Sequence, residues 1–115
     1  MPYDRGAVLL VLFPDSNLRT AKRRPALVVQ AHSLQTGLPQ TIVAMISSNM
    51  ARAGHPSRVT VPSASREGKH MGLHTDSVIM TDNLVTVLES EVDRAIGSCP
   101  DMAPVDAALR HTLGL

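Results

Sequence analysis

The sequence predicts a mainly β fold with a C-terminal helix, its sheet strongly curved or closed into a small barrel. Three observations carry that prediction. Short apolar runs rich in β-branched residues recur along the chain, at Ala7–Phe13, Ala26–Gln30, Thr41–Ile46, Val78–Met80 and Leu84–Leu88, with turn-forming residues between them. Only the stretch Asp101–Leu113 repeats its apolar side chains at clear helical spacing. The loops are long for a chain of 115 residues, and a barrel would remove the edges that so many short strands leave exposed.

In chain order, Ala7–Phe13 is an unbroken apolar run between Gly6 and Pro14 and reads as a strand buried on both faces. Pro14-Asp15-Ser16-Asn17 is a turn by composition, and the loop it opens reaches Arg24, about ten residues on, a length that is often functional. Pro25 suits the start of the second strand, Ala26–Gln30. After the loop His32–Gln40, the third strand, Thr41–Ile46, ends on Ser47-Ser48-Asn49, which cap a turn or edge a site. Arg58–Val61 alternates polar and apolar and ends at Pro62, as a half-exposed strand does. Ser63–Met71 reads as surface loop, Val78–Met80 and Leu84–Leu88 as a fifth and a sixth strand, and Glu89–Gly97 as a helical turn with a last short strand. In the final helix Met102, Val105, Leu109 and Leu113 share a face, with Asp101 as N-cap, Pro104 in the first turn and Gly114 as the stop.

Composition narrows the functions. The length suits one domain, residues 1–115. With one Phe, one Tyr and no Trp, the core is aliphatic, and the stacking platforms of a general single-strand binder are missing. A net charge of +1 implies no nucleic-acid partner by itself, but Arg19, Lys22, Arg23 and Arg24 form a local basic patch, while acids gather in Asp82–Asp93. Cys99 is the only cysteine, so an intramolecular disulfide and a multi-thiolate zinc site are both excluded. Ala7–Phe13 is far short of the roughly 20 residues of a membrane span, and no secretory leader is recognisable, so the expected location is cytoplasmic.

The basic patch runs directly into a strand at Arg24-Pro25. A guanidinium held at the rim of a sheet offers a planar fork of donors and keeps its charge, which suits phosphate; the same residues also fit a solvated loop. His70 and His74 are four residues apart but lie in a polar stretch between Gly68 and Gly72 and beyond it, and read as solvated loop, as do His32 and His55. Cys99 has no neighbour that would activate it and reads as a structural thiol.

Taken together, the pieces resemble the MazF/PemK family of toxins. The matching residues are Arg5-Gly6, Arg23-Arg24-Pro25-Ala26-Leu27-Val28-Val29, Ile42-Val43-Ala44-Met45-Ile46-Ser47-Ser48, Gly72-Leu73 with Asp76-Ser77-Val78-Ile79, Asp82 with Thr86-Val87, and Val105–Arg110 with Leu113-Gly114-Leu115. The resemblance implies an SH3-like barrel of the MazF/PemK/CcdB type, a homodimer, and the toxin half of a type II toxin–antitoxin pair. It further implies metal-independent, sequence-selective cleavage of single-stranded RNA through the 2′-OH, with no cofactor, and a cognate antitoxin whose acidic segment blocks the RNA groove. The family's catalytic Arg falls on Arg24, its catalytic Ser/Thr on Ser47, and an acid used by some members on Asp82. RNA contacts are expected from Asn17, Arg19, Lys22, Arg23, Ser48 and Asn49, with Pro14–Lys22 as a flap over the groove. The pattern departs from the family at Met80, where some members carry Arg, at Val85, where Arg is common, and at Ala31-His32, where an Asn-Asp pair is common. Two other readings of the resemblance stay open: a protein-directed toxin on the same fold, like the gyrase inhibitors, and a weakened member that binds antitoxin without cutting.

Overall fold

A computed structural model describes every residue except Met1, Asp15, Ser16, Leu18 and Ser33, and of Pro14 only the backbone. Six antiparallel strands form one sheet: β1 (Ala7–Pro14), β2 (Ala21–Val28), β3 (Gln40–Ser47), β4 (Arg58–Val61), β5 (Ser77–Leu88) and β6 (Val92–Ser98), in the order β4-β5-β3-β2-β1-β6. Two α-helices, α1 (Arg66–His70) and α2 (Ala103–Leu113), and 3₁₀ turns at Met50–Arg52 and Glu89–Glu91 complete the described elements.

The central strands are apolar on both sides because each face carries its own core. Register puts Val8, Leu27 and Ala44 in one row across β1, β2 and β3, and that row joins Ile46, Ile79, Met71 and Val105 in one cluster. The neighbouring row, Leu9, Ala26 and Met45, points the other way and packs with Val11, Val28, Val43 and Val87. This two-sided burial explains the unbroken apolar runs, since a strand with one wet face would alternate.

The sheet is open, with β4 and β6 as its edges, and it does not close into a complete barrel. Packing takes the place of the missing ladder. A Cβ on Gly97 of β6 would run into the backbone of His70 and Met71, so the segment leaving α1 lies directly on this edge strand. Ser63–Met71, expected as loop, contains α1; five residues with no apolar stripe leave no helical period to read, and Ser65 caps it by accepting from Gly68 N–H.

The expected fifth and sixth strands are one strand. Met80 of β5 pairs with Met45, and Leu84 with the adjacent Ala44, so Thr81-Asp82-Asn83 bulge out between two paired halves. A polar interruption that reads as a turn is here a bend. Thr81 holds it: its Oγ1 donates to the Ser57 carbonyl at 2.6 Å and lies 2.8 Å from Thr112 Oγ1 of α2. On α2 the inner residues are Val105 and Ala108, whereas Leu113 is exposed; Asp101 Oδ1 accepts from Ala103 N–H, one residue ahead of the N-cap Met102. No helix among the described residues is long and apolar enough to cross a membrane.

Candidate functional site

The basic patch belongs to β2 from Ala21 onward, so Lys22–Arg24 stand on a strand and not in a loop. Periodicity misses this half because its outer residues are exposed and it pairs on one side only. β1 partners it throughout, from Ala21 opposite Pro14 to Leu27 opposite Val8, whereas β3 partners only Ala26, Leu27 and Val28.

Pro25 accounts for that limit. Val29 N–H donates to the Ile42 carbonyl at 3.1 Å, and in an antiparallel pair every second residue turns its N–H the same way. Leu27 and then Pro25 therefore present their nitrogens to β3. Pro25 has no N–H to give, and the ladder stops at Ala26 opposite Met45. Beyond that point β3 pairs on its other side, Ile46 with Ile79 and Ser47 with Val78. Strand β2 and the end of β3 thus bound a groove of about 690 Å³. Continuing the register two residues past the last pair sets Arg24 across from Ser47, on the same face of the sheet. Both line the groove.

The rest of the rim is ordered by local hydrogen bonds. Ser47 Oγ accepts from Asn49 N–H at 3.1 Å, which leaves its own hydrogen available to an incoming oxygen. Asn49 caps the 3₁₀ turn by accepting from Ala51 N–H, and this turn carries Arg52 to the groove. Arg23 lines the groove while its Nε lies 3.2 Å from Asp93 of β6. Among the described lining residues there are three guanidiniums, those of Arg23, Arg24 and Arg52, and no Asp or Glu. Such a surface attracts anions and offers forked donors to phosphate.

The expected site residues divide. Arg24, Ser47, Arg23, Ser48 and Asn49 come together in the groove. Asn17 holds the β1–β2 connection, its Oδ1 accepting from Arg19 and Thr20 N–H. Arg19 and Lys22 are exposed on that connection and on the first turn of β2, outside the groove lining. The expected flap Pro14–Lys22 falls partly on Asp15, Ser16 and Leu18, which lie outside the described residues. The connection itself, between Pro14 and Ala21, is shorter than the loop expected.

Asp82 is turned elsewhere. It sits at the bulge of β5 and takes two hydrogen bonds from Arg58, 2.8 Å from Nη2 and 3.3 Å from Nε, and it is absent from the groove lining. The Arg58 guanidinium holds its carboxylate below the usual range and so makes it a weaker proton acceptor. Arg58 also donates to the Arg52 carbonyl, tying β4 to the 3₁₀ turn. Cys99 is half-buried; burial pushes its thiol up, and its Sγ–H donates to the Asp101 carbonyl.

Sequence reasoning missed Arg52, His74, Thr75, Asn83 and the apolar contribution of Met80 to the groove. Met80 carries a signal, as a departure from the family pattern the sequence resembles; the others arrive through loops and a bend that periodicity does not report. His74 and His70 separate: His70 ends α1, while His74 reaches the groove on the turn before β5. Among the described residues no cluster of three or more His, Cys, Asp or Glu is placed to hold a metal ion.

A family model described as PemK-like, MazF-like toxin of type II toxin–antitoxin system matches residues 4–113. The chain is 35% identical over 107 residues to Endoribonuclease MazF2 of Mycobacterium bovis, covering 90% of each chain. A mycobacterial endoribonuclease solved in complex with its cognate antitoxin superposes with a TM-score of 0.74 at 18% identity, covering 98% of this chain and 96% of that one. A MazE–MazF structure from Deinococcus radiodurans gives a TM-score of 0.75 at 22% identity, covering 100% and 99%.

Proposed function

Since this chain belongs to the family of PemK-like, MazF-like toxins of type II toxin–antitoxin systems, we propose that it is the toxin component of such a pair, an endoribonuclease. The reaction is metal-independent, sequence-selective cleavage of single-stranded RNA in the groove between β2 and β3. The observation that carries this reading is the presence of Arg24 and Ser47 in one groove lined by guanidiniums and by no described carboxylate.

RNA brings its own nucleophile, the 2′-OH beside each phosphodiester. The protein has to bind the phosphate, stabilise the charge that develops on it, and manage the protons. Arg24 lays its donor fork on the non-bridging oxygens, and Ser47 donates its remaining hydrogen to one of them. Arg23, Ser48 and Asn49 position the flanking nucleotides, with Arg19, Lys22 and Asn17 at the outer approach. Asp82 serves by locking Arg58, which in turn braces the turn bearing Arg52.

Residues 1–115 act as one such domain, as a homodimer in the cytoplasm, where mRNA, tRNA or rRNA is the target and inhibition of translation and growth the result. The cognate antitoxin occupies the same cationic groove with an acidic segment. Similar structures solved together with an antitoxin support a cognate antitoxin as partner.

The test is cleavage of a long mixed-sequence RNA in EDTA by wild type and Arg24→Ala, with the ends mapped and examined for a 2′,3′-cyclic phosphate. Wild type is expected to cut at discrete sites, and Arg24→Ala to be slower by about 10²–10³, the usual loss for one charge-stabilising donor. Intact mRNA, tRNA and rRNA after incubation with wild type would exclude the nuclease activity.

A further inference from the structure

The groove as described binds and polarises a phosphodiester, but one task is left without a group: removal of the 2′-OH proton. Guanidiniums donate and do not accept. The Ser47 oxygen already accepts from Asn49 N–H, and Asp82 is engaged by Arg58 outside the lining. Among the described lining residues, His74 alone carries an imidazole, whose ring nitrogen can accept a proton. We propose that His74 is the general base of the cleavage; this inference rests on the nuclease reading of the same groove.

The position of His74 follows from the fold. Strand β5 begins at Ser77, and its Val78 pairs with Ser47, so the turn ahead of β5 overhangs the end of β3. That turn is anchored at both ends. Gly72 has a φ of +72°, and a Cβ there would run into the Ile96 carbonyl of β6. Leu73 is buried in the core, with its N–H bonded to the Gly68 carbonyl at 3.0 Å. On the far side Ser77 is buried and its hydroxyl donates to the Thr75 carbonyl, while Asp76 Oδ1 accepts from Ser63 N–H and Oγ–H at 2.9 and 3.1 Å. His74 is thus an exposed side chain on a short, tied turn, lining the same groove as Ser47 and Ser48. The charged groups that line the groove with it are Arg23 and Arg24 from β2 and Arg52 from the 3₁₀ turn, and Asp76 on its own turn is bonded to Ser63.

In the proposed step the 2′ O–H bond breaks and its proton passes to an imidazole nitrogen of His74. The electron pair left on the 2′-oxygen forms the bond to phosphorus, and the P–O5′ bond breaks. The departing 5′-oxygen takes a proton from water, and the imidazolium returns its proton to solvent. The products are a 2′,3′-cyclic phosphate and a 5′-hydroxyl, with no change of oxidation state.

The experiment measures single-turnover cleavage rates from pH 5 to 9 in EDTA for wild type, Arg24→Ala, His74→Ala and His74→Gln. Binding of a 2′-deoxy oligonucleotide analogue and circular dichroism are recorded for each. The wild-type rate is expected to rise through an imidazole-like limb. The His74 variants should lose about 10²-fold or more at pH 7.5 and lose that limb, while binding and folding stay intact. Added imidazole should partly restore His74→Ala, and Arg24→Ala should be slow yet keep the limb. His74 variants that cut within a few-fold of wild type with the limb unchanged would overturn the proposal and leave the nuclease reading standing. So would a loss of binding that matches the loss of rate. An inert wild type would remove both.

Discussion

The two halves of β2 differ in almost everything except their pairing with β1. From Ala26 to Val28 the strand lies between two neighbours and is buried. From Ala21 to Arg24 it has β1 on one side and carries exposed side chains, three of them cationic. The boundary is Pro25, whose missing donor ends the ladder to β3. One imino acid divides a strand into a part that holds the fold together and a part that can hold a ligand. The rigidity of the first fixes the position of the second, so Arg24 gains a fixed base without itself being buried.

The contrast can be broken from either end. Leu27→Ala in the buried half should cost about 2–5 kcal/mol of stability, seen as a lowered chemical-denaturation midpoint, while the fraction that remains folded cleaves RNA at the wild-type rate. Arg24→Ala in the open half should do the reverse, leaving the midpoint where it is and slowing cleavage. Pro25→Ala attacks the boundary itself. The new N–H would face the Ile46 carbonyl, extend the ladder by one bond worth about 0.5–1.5 kcal/mol, and draw the groove closed. Hydrogen exchange at residue 25 would show that amide protected, and an unprotected amide would mean that something else holds the strands apart.

The smallest effect is expected at the ion pair between Arg58 and Asp82. Arg58 and Asp82 are partly exposed, so Asp82→Asn should change stability by no more than about 1 kcal/mol and cleavage by no more than a few-fold. The pH dependence has a definite sign. Asp82 is held below its unfolded-state value, so its contribution is complete above the ordinary carboxylate range near pH 4 and fades as pH falls through the lowered folded value. Thermal melts between pH 2 and 6 should show wild type and Asp82→Asn converging at the acid end. A large loss of cleavage in Asp82→Asn at neutral pH would instead restore this carboxylate to the reaction.

How much was legible follows from what each signal reports. Buried β1 and β3 and the helix α2 were readable because a two-sided core demands long apolar runs and a helix facing a sheet demands a stripe. The front half of β2 was not, because exposure on a half-paired strand removes the hydrophobic pattern and leaves Lys22–Arg24 looking like loop. Strand β5 was split in two because Thr81-Asp82-Asn83, polar residues at a bulge, have the composition of a turn. Arg24 is marked by the basic run that ends at Pro25, its catalytic role and that of Ser47 come through family resemblance, and both line the groove. His74 had no local signal, since its meaning depends on where the chain returns after α1.

Pro25 has a further consequence, for self-association. A strand with one side open invites another copy to complete it, and such edges seed aggregation. Here the inviting stretch lacks a donor at Pro25 and carries Lys22, Arg23 and Arg24 in succession, so a second identical strand would meet both a gap in its hydrogen bonds and like charge at close range. The features that keep the groove open for a polyanion also guard this one strand edge against pairing with another copy's.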